Sequence, residues 1–163
     1  MNSRRKAREA ALQALYQCDT LSQWDEAAVA LYFNIYNPEA LAAESGPVKE
    51  NCDFARGLIL GTIQYLEFID GQITAASTHW SVARMARVDR NILRCSTYEI
   101  IFVPEVPVSV SINEAIEIAK RYGANDSPMF INGVLDNIAT VFMANPGLVG
   151  KAQPRSVRRV VNE

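Results

Sequence analysis

Apolar positions along this chain recur with helical rather than alternating period. Ala7, Ala11, Leu12, Leu15 and Cys18 fall on one stripe, which predicts a first helix over roughly 4–18. A second helix is predicted from about Asp25 to Tyr36, after a turn near Ser22 and before the break at Asn37-Pro38. Pro38, Ser45, Gly46 and Pro47 then mark residues 37–49 as a surface loop. From about Val48 to Ser77 the pattern is helical again but shows two apolar faces, so a division is expected near Tyr65 or Leu66. Gly57 and Gly61, four apart, would admit a closely packed neighbour. Trp80 to Val88 reads as a connection. The stretch from Asp89 to about Val103 reads as a helix whose second half is apolar on most sides, and therefore as a central, buried element. Pro104 and Pro107 end it.

The last two helices carry the most legible punctuation. Ser111 with Glu114 three residues on has the form of a capping box. Gly123 is placed to end that helix in the left-handed conformation. Ser127 and Pro128 then read as N-cap and first residue of the next helix. Ile131, Val134, Leu135, Ile138 and Phe142 form its apolar stripe, and Asn145-Pro146-Gly147 stops it. Val106 to Val110 is the one short candidate for extended chain, and it contains Pro107. The expectation is an all-α fold of about seven helices in two packed helical subdomains, about 1–80 and 81–148, with 149–163 a basic, flexible tail.

Charge changes this picture through its distribution. The 163 residues carry a net charge of -2, which argues against a generally basic coat. Yet Arg4, Arg5, Lys6 and Arg8 crowd one end, Lys151, Arg155, Arg158 and Arg159 the other, and acids concentrate between Asp19 and Asp53. A local basic patch on a neutral body can steer a polyanion. Cys18, Cys52 and Cys95 are scattered and His79 is the only histidine, so no metal site and no cofactor is indicated. Unpaired cysteines fit a reducing, cytoplasmic setting. No apolar run approaches the roughly 20 residues of a membrane span, and no apolar stretch follows the basic start as a secretory leader requires.

Catalysis has little to stand on. There is no nucleophile elbow, phosphate loop or dinucleotide fingerprint, and Glu114 and Glu117 read as a solvated helix face. Two other constellations have chemistry. Arg4, Arg5, Lys6 and Arg8 offer guanidinium and ammonium groups to phosphates, with Tyr16 two turns beyond Arg8 at the edge of the apolar stripe. The same run also reads as an ordinary solvated helix end. The second is the corner between the last two helices, where Tyr122 and Phe130 bracket Asn125 and Asp126. Aromatics there can stack bases, or Phe130 can simply close the rim of the core. Asp126 would repel a phosphate, but it can cap the last helix or accept a hydrogen bond from a base.

The chain resembles the NusB family of bacterial transcription antitermination factors. The resemblance is carried by Arg4-Arg5-Lys6-Ala7-Arg8-Glu9 with Leu12-Gln13-Ala14-Leu15-Tyr16, by Val88-Asp89-Arg90-Asn91-Ile92-Leu93-Arg94 with Tyr98-Glu99, and most specifically by Ile112-Asn113-Glu114-Ala115, Ala119-Lys120 and Phe130-Ile131-Asn132-Gly133-Val134-Leu135-Asp136. It implies an all-helical, non-catalytic protein that pairs with NusE, a small-subunit ribosomal protein. Together they bind single-stranded boxA-type RNA and join other Nus factors on RNA polymerase in support of ribosomal RNA transcription. It further implies that Arg4, Arg5, Lys6, Arg8, Tyr16, Tyr122, Asn125, Asp126 and Phe130 face RNA. Asp89 matches an acidic family position that faces the protein partner, and Arg84 and Trp80 in the preceding connection are assigned with it. Some family members associate with themselves, so a homo-oligomer is among the expectations.

Phosphate contacts from the four N-terminal cations imply a log-log salt slope of about -0.7 each, or about -3 in all. Met129 departs from the family, which often carries a basic residue there. An alternative reading is a protein-binding adaptor with only minor RNA contact. An RNA-modifying enzyme with a similar helical domain is opposed by length, since no room remains for a methyl-donor domain.

Overall fold

Every long apolar stripe in the sequence folds as helix. A computed structural model describes residues 1–78 and 80–155, so His79 and the tail arginines Arg158 and Arg159 lie outside the described residues. Among the described residues are eight α-helices: α1 (Arg4–Leu21), α2 (Glu26–Tyr36), α3 (Pro38–Ala42), α4 (Gly46–Gln64), α5 (Leu66–Ala76), α6 (Arg87–Phe102), α7 (Val108–Tyr122) and α8 (Ser127–Ala144). Short 3₁₀ turns occupy Val82–Arg84 and Pro146–Lys151, and no strand occurs among the described residues. The helices fall into two units, one of residues 1–64 joined by Arg155, the other of residues 65–154. The division lies at Tyr65 rather than near residue 80, because α5 packs against α6 and α8.

In the first unit α1 lies chiefly against α4. Ala7, Ala11, Ala14 and Leu15 of α1 and Ala55 and Ile59 of α4 are fully buried, and so many alanines let the two helices approach closely. Ser3 caps α1 by accepting a hydrogen bond from the Lys6 N–H at 3.1 Å. Asp25 caps α2 through the Ala28 N–H at 2.9 Å. Residues 37–49 are not an open loop: Pro38 starts the short α3, and Gly46, at φ +79°, begins α4. Pro38 breaks α2 and at the same time supplies a preset first residue for the next helix. At Gly57 an added Cβ would meet nothing within 4 Å, so the close approach expected there is absent. The Arg155 N–H donates to the Gln64 carbonyl at 2.7 Å.

In the second unit α6 is central, packed by α5, α7 and α8. Its residues Asn91 to Thr97 are all buried. Arg94 grips both carboxylate oxygens of Asp70 at 2.8 and 2.9 Å and donates to Asn91 Oδ1 at 3.1 Å, whereas Thr97 Oγ1 is buried without a hydrogen-bond partner. Tyr65 and Tyr98 stack on Phe102, with centroids 4.4 and 5.1 Å away.

The capping box at Ser111 is not formed. α7 begins three residues earlier, with Pro107 at its N-cap, so the stretch weighed as extended, Val106 to Val110, includes the first turn of the helix. Ser111 is buried and donates instead to Glu99 Oε1 on α6 at 2.8 Å. A buried carboxylate needs donors more than a helix end open to water does, which explains the different use of this serine.

Candidate nucleic-acid interface

On α1 the i, i+4 spacing of Arg4 and Arg8 puts both side chains toward α4. There they meet one ring. The Arg4 guanidinium carbon is 4.0 Å from the centroid of Phe54 and that of Arg8 is 5.3 Å away. Arg4, Arg5 and Lys6 are exposed, whereas Arg8 is only 7% exposed. The sequence reading treated all four cations alike. The fold makes Arg8 an inner member of the patch, since it lies one turn further along the face that packs on α4. Lys6 pairs with Glu9 at 3.4 Å. Tyr16 is 41% exposed, as its place at the stripe's edge requires. Phe54 escaped the sequence reading, because nothing in its own neighbourhood distinguishes it from an ordinary half-buried aromatic and its partners lie some fifty positions away.

The second patch is the α7–α8 corner. Its turn is set by space, not by a left-handed backbone. Gly123 has φ -91° and ψ -177°, an extended conformation open to any residue. A Cβ there would lie 2.7 Å from Ser127 Cβ and Oγ and 2.8 Å from the Ala119 carbonyl oxygen. The missing side chain lets α8 begin against the end of α7. Ser127 is the first residue of α8 rather than its N-cap, and its hydroxyl accepts from the Ala124 N–H at 2.9 Å while its own N–H donates to the Ala124 carbonyl at 3.1 Å. Asp126 takes the N-cap position but makes no side-chain cap bond. Its carboxylate and the Asn125 amide are therefore exposed on the turn. Tyr122 and Phe130 flank them, both half-buried. Arg121 stands over the Tyr122 ring at 5.3 Å, a cation the sequence reading had not drawn into the corner. Met129 is 83% exposed.

The residues assigned to a protein partner gather along the approach to α6. Trp80 is 56% exposed and Arg84, at the end of the 3₁₀ turn, is also exposed. Asp89 sits in the first turn of α6, where the helix dipole favours an acid. Its Oδ1 is buried without a hydrogen-bond partner.

The first patch belongs to one unit and the corner and approach to the other. Nothing in the three constellations provides a nucleophile beside a base. No helix among the described residues is long and apolar enough to cross a membrane.

Known proteins supply the context. The NusB family model matches residues 5–140. The transcription antitermination protein NusB of Geobacter sulfurreducens is 44% identical over 140 residues, 86% of this chain and 96% of that protein. The structure of T. maritima NusB superposes with a TM-score of 0.72 at 38% identity, covering 86% of this chain and 93% of that one. A solved complex of the antitermination factors NusB and NusE with dsRNA matches with a TM-score of 0.69 at 25% identity over 85% of this chain and 96% of that one. The all-helical architecture, the three ordered sequence blocks and the family match agree: this chain belongs to the NusB family.

Proposed function

We propose that this protein is a non-catalytic, cytoplasmic transcription antitermination factor that binds boxA-type single-stranded RNA jointly with the ribosomal protein NusE. It would join other Nus factors on RNA polymerase and support ribosomal RNA transcription. The observation that carries the reading is family membership over residues 5–140, a span that holds most of the basic patch, the α6 approach and the α7–α8 corner. The solved relative containing NusE and RNA supports the choice of partners.

The chemistry of the two patches fits separate roles. Arg4, Arg5, Lys6 and Arg8 supply phosphate contacts, which position RNA and weaken with salt. Tyr122 and Phe130 offer faces for unstacked bases, and Asn125 and Asp126 offer hydrogen-bonding groups to base edges. Tyr16 adds an exposed ring on α1. Trp80, Arg84 and Asp89 serve the protein partner, with Trp80 and Arg84 exposed beside the start of α6.

The reading is tested by titrating boxA-type RNA, its scrambled form and its duplex against the protein, with and without NusE. The expected result is tightest binding to the single-stranded boxA form in the presence of NusE. The competing adaptor reading draws on the exposed Met129 and the net charge of -2. It wins if RNA binds equally with and without NusE while NusE itself binds tightly. Asp89→Lys should weaken NusE binding and leave the residual RNA affinity of the chain alone unchanged.

A further inference from the structure

We propose that Phe54 of α4 is a positioning residue for phosphate recognition, its ring, already backed by the buried Arg8, holding the exposed Arg4 guanidinium in place for a phosphodiester group of RNA. The inference rests on the RNA-binding reading of α1. Two arginines four apart on one helix repel each other, and long side chains at a helix end ordinarily sample many rotamers. Here both converge on one aromatic face, 4.0 and 5.3 Å from its centroid. The negative face of the ring offsets the clustering of charge. Stacking uses the flat side of a guanidinium, so the exposed Arg4 can still turn its in-plane N–H fork to a phosphate.

Arg4, Arg5 and Lys6 make the exposed end of this clamp positive. The first turn of α1 contains no acid. Glu9 lies 3.4 Å from Lys6, and Asp53, the neighbour of Phe54, lies 2.7 Å from Lys49. Burial grades the pair: Arg8 is 7% exposed and Arg4 is open to solvent. Arg8 therefore fixes the inner edge of the clamp and Arg4 presents the outer one. Preorganised donors bind more tightly than mobile ones because less freedom is lost on contact.

A ring that merely closes the core rim would affect folding but not the salt dependence of binding. The test uses the full chain and boxA-type single-stranded RNA. Phe54→Leu, of similar volume and without a π face, should weaken binding about tenfold and flatten the log-log salt slope by about 0.7, the value for one phosphate contact. Phe54→Tyr should restore both. In the double variant with Arg4→Ala the losses should not add, because the ring acts through the arginine. If Phe54→Leu loses helicity, Phe54→Met in the same cycle gives the reading. Wild-type affinity and slope in the Leu or Met variant, or strictly additive losses, would overturn the proposal while leaving RNA binding by α1 intact. Wild-type RNA affinity in both Arg4→Ala and Phe130→Ala would instead remove the reading beneath it.

Discussion

The basic end of α1 and the α7–α8 corner are built on opposite principles. The first gathers charge: four cations in five positions, two of them on one ring. The second is almost neutral at its tip, with Asn125 and Asp126 between two half-buried aromatics and Arg121 set back over Tyr122. Charge attracts any polyanion and cannot tell sequences apart, whereas rings and directed polar groups act only on bases that have left the stack. Under the proposed function the two regions would divide the work, affinity and orientation to the first and discrimination to the second.

The largest expected effect removes the support of one region only. Asp70→Ala leaves Arg94, nearly buried, without its bidentate partner. Breaking such a pair costs about 3 kcal/mol or more, so the urea midpoint of the chain should fall clearly. An unchanged midpoint would show that apolar packing alone holds α5, α6 and α8 together beneath the corner. Next in size is the direct contrast between the patches. Phe130→Ala should lower RNA affinity by about 1–3 kcal/mol and leave the salt slope untouched. Arg4→Ala should lower it less but flatten the slope by about 0.7. Matching slopes in the two variants would dissolve the division of labour. A loss of helicity in Phe130→Ala would assign that ring to the core.

The smallest effect is one that the two units share. Burial, then the charge of Asp25, pushes the Cys18 thiol of α1 from 9.0 to about 11, and burial also raises Tyr98 of α6. A raised pKa means that the folded state favours the protonated thiol. The stability it confers is complete below pH 9, and is lost as pH climbs towards about 11. Urea midpoints of wild type and Cys18→Ala should therefore converge between these values. Parallel pH profiles would show that Cys18 contributes nothing to alkaline sensitivity.

Much of the fold was legible because the period of apolar residues survives burial. The ends of α2, α6 and α8 and the break at Tyr65 fell within two residues of where the pattern placed them. The misreadings came where a local motif competed with a distant need. Ser111 and Glu114 spell a capping box, but the buried Glu99 takes the serine. Gly123 looks like a left-handed helix end, but it is required by the approach of Ser127. Pro38 and Gly46 look like loop punctuation, yet each opens a helix. The candidate site divides the same way. Its cations and aromatics stand in the sequence, while the convergence of Arg4 and Arg8 on Phe54 is a product of α1–α4 packing that no local pattern encodes.

Asp89 carries a consequence of another kind. An oxygen buried without a donor costs the isolated chain about 1–3 kcal/mol. A sequence drifting under selection for durability alone would exchange it for a residue content to be dry. The start of α6 therefore carries a local cost that the packing around it must offset. Asp89→Leu should accordingly raise the melting temperature of the free protein, and an unchanged value would show that this oxygen costs the fold nothing.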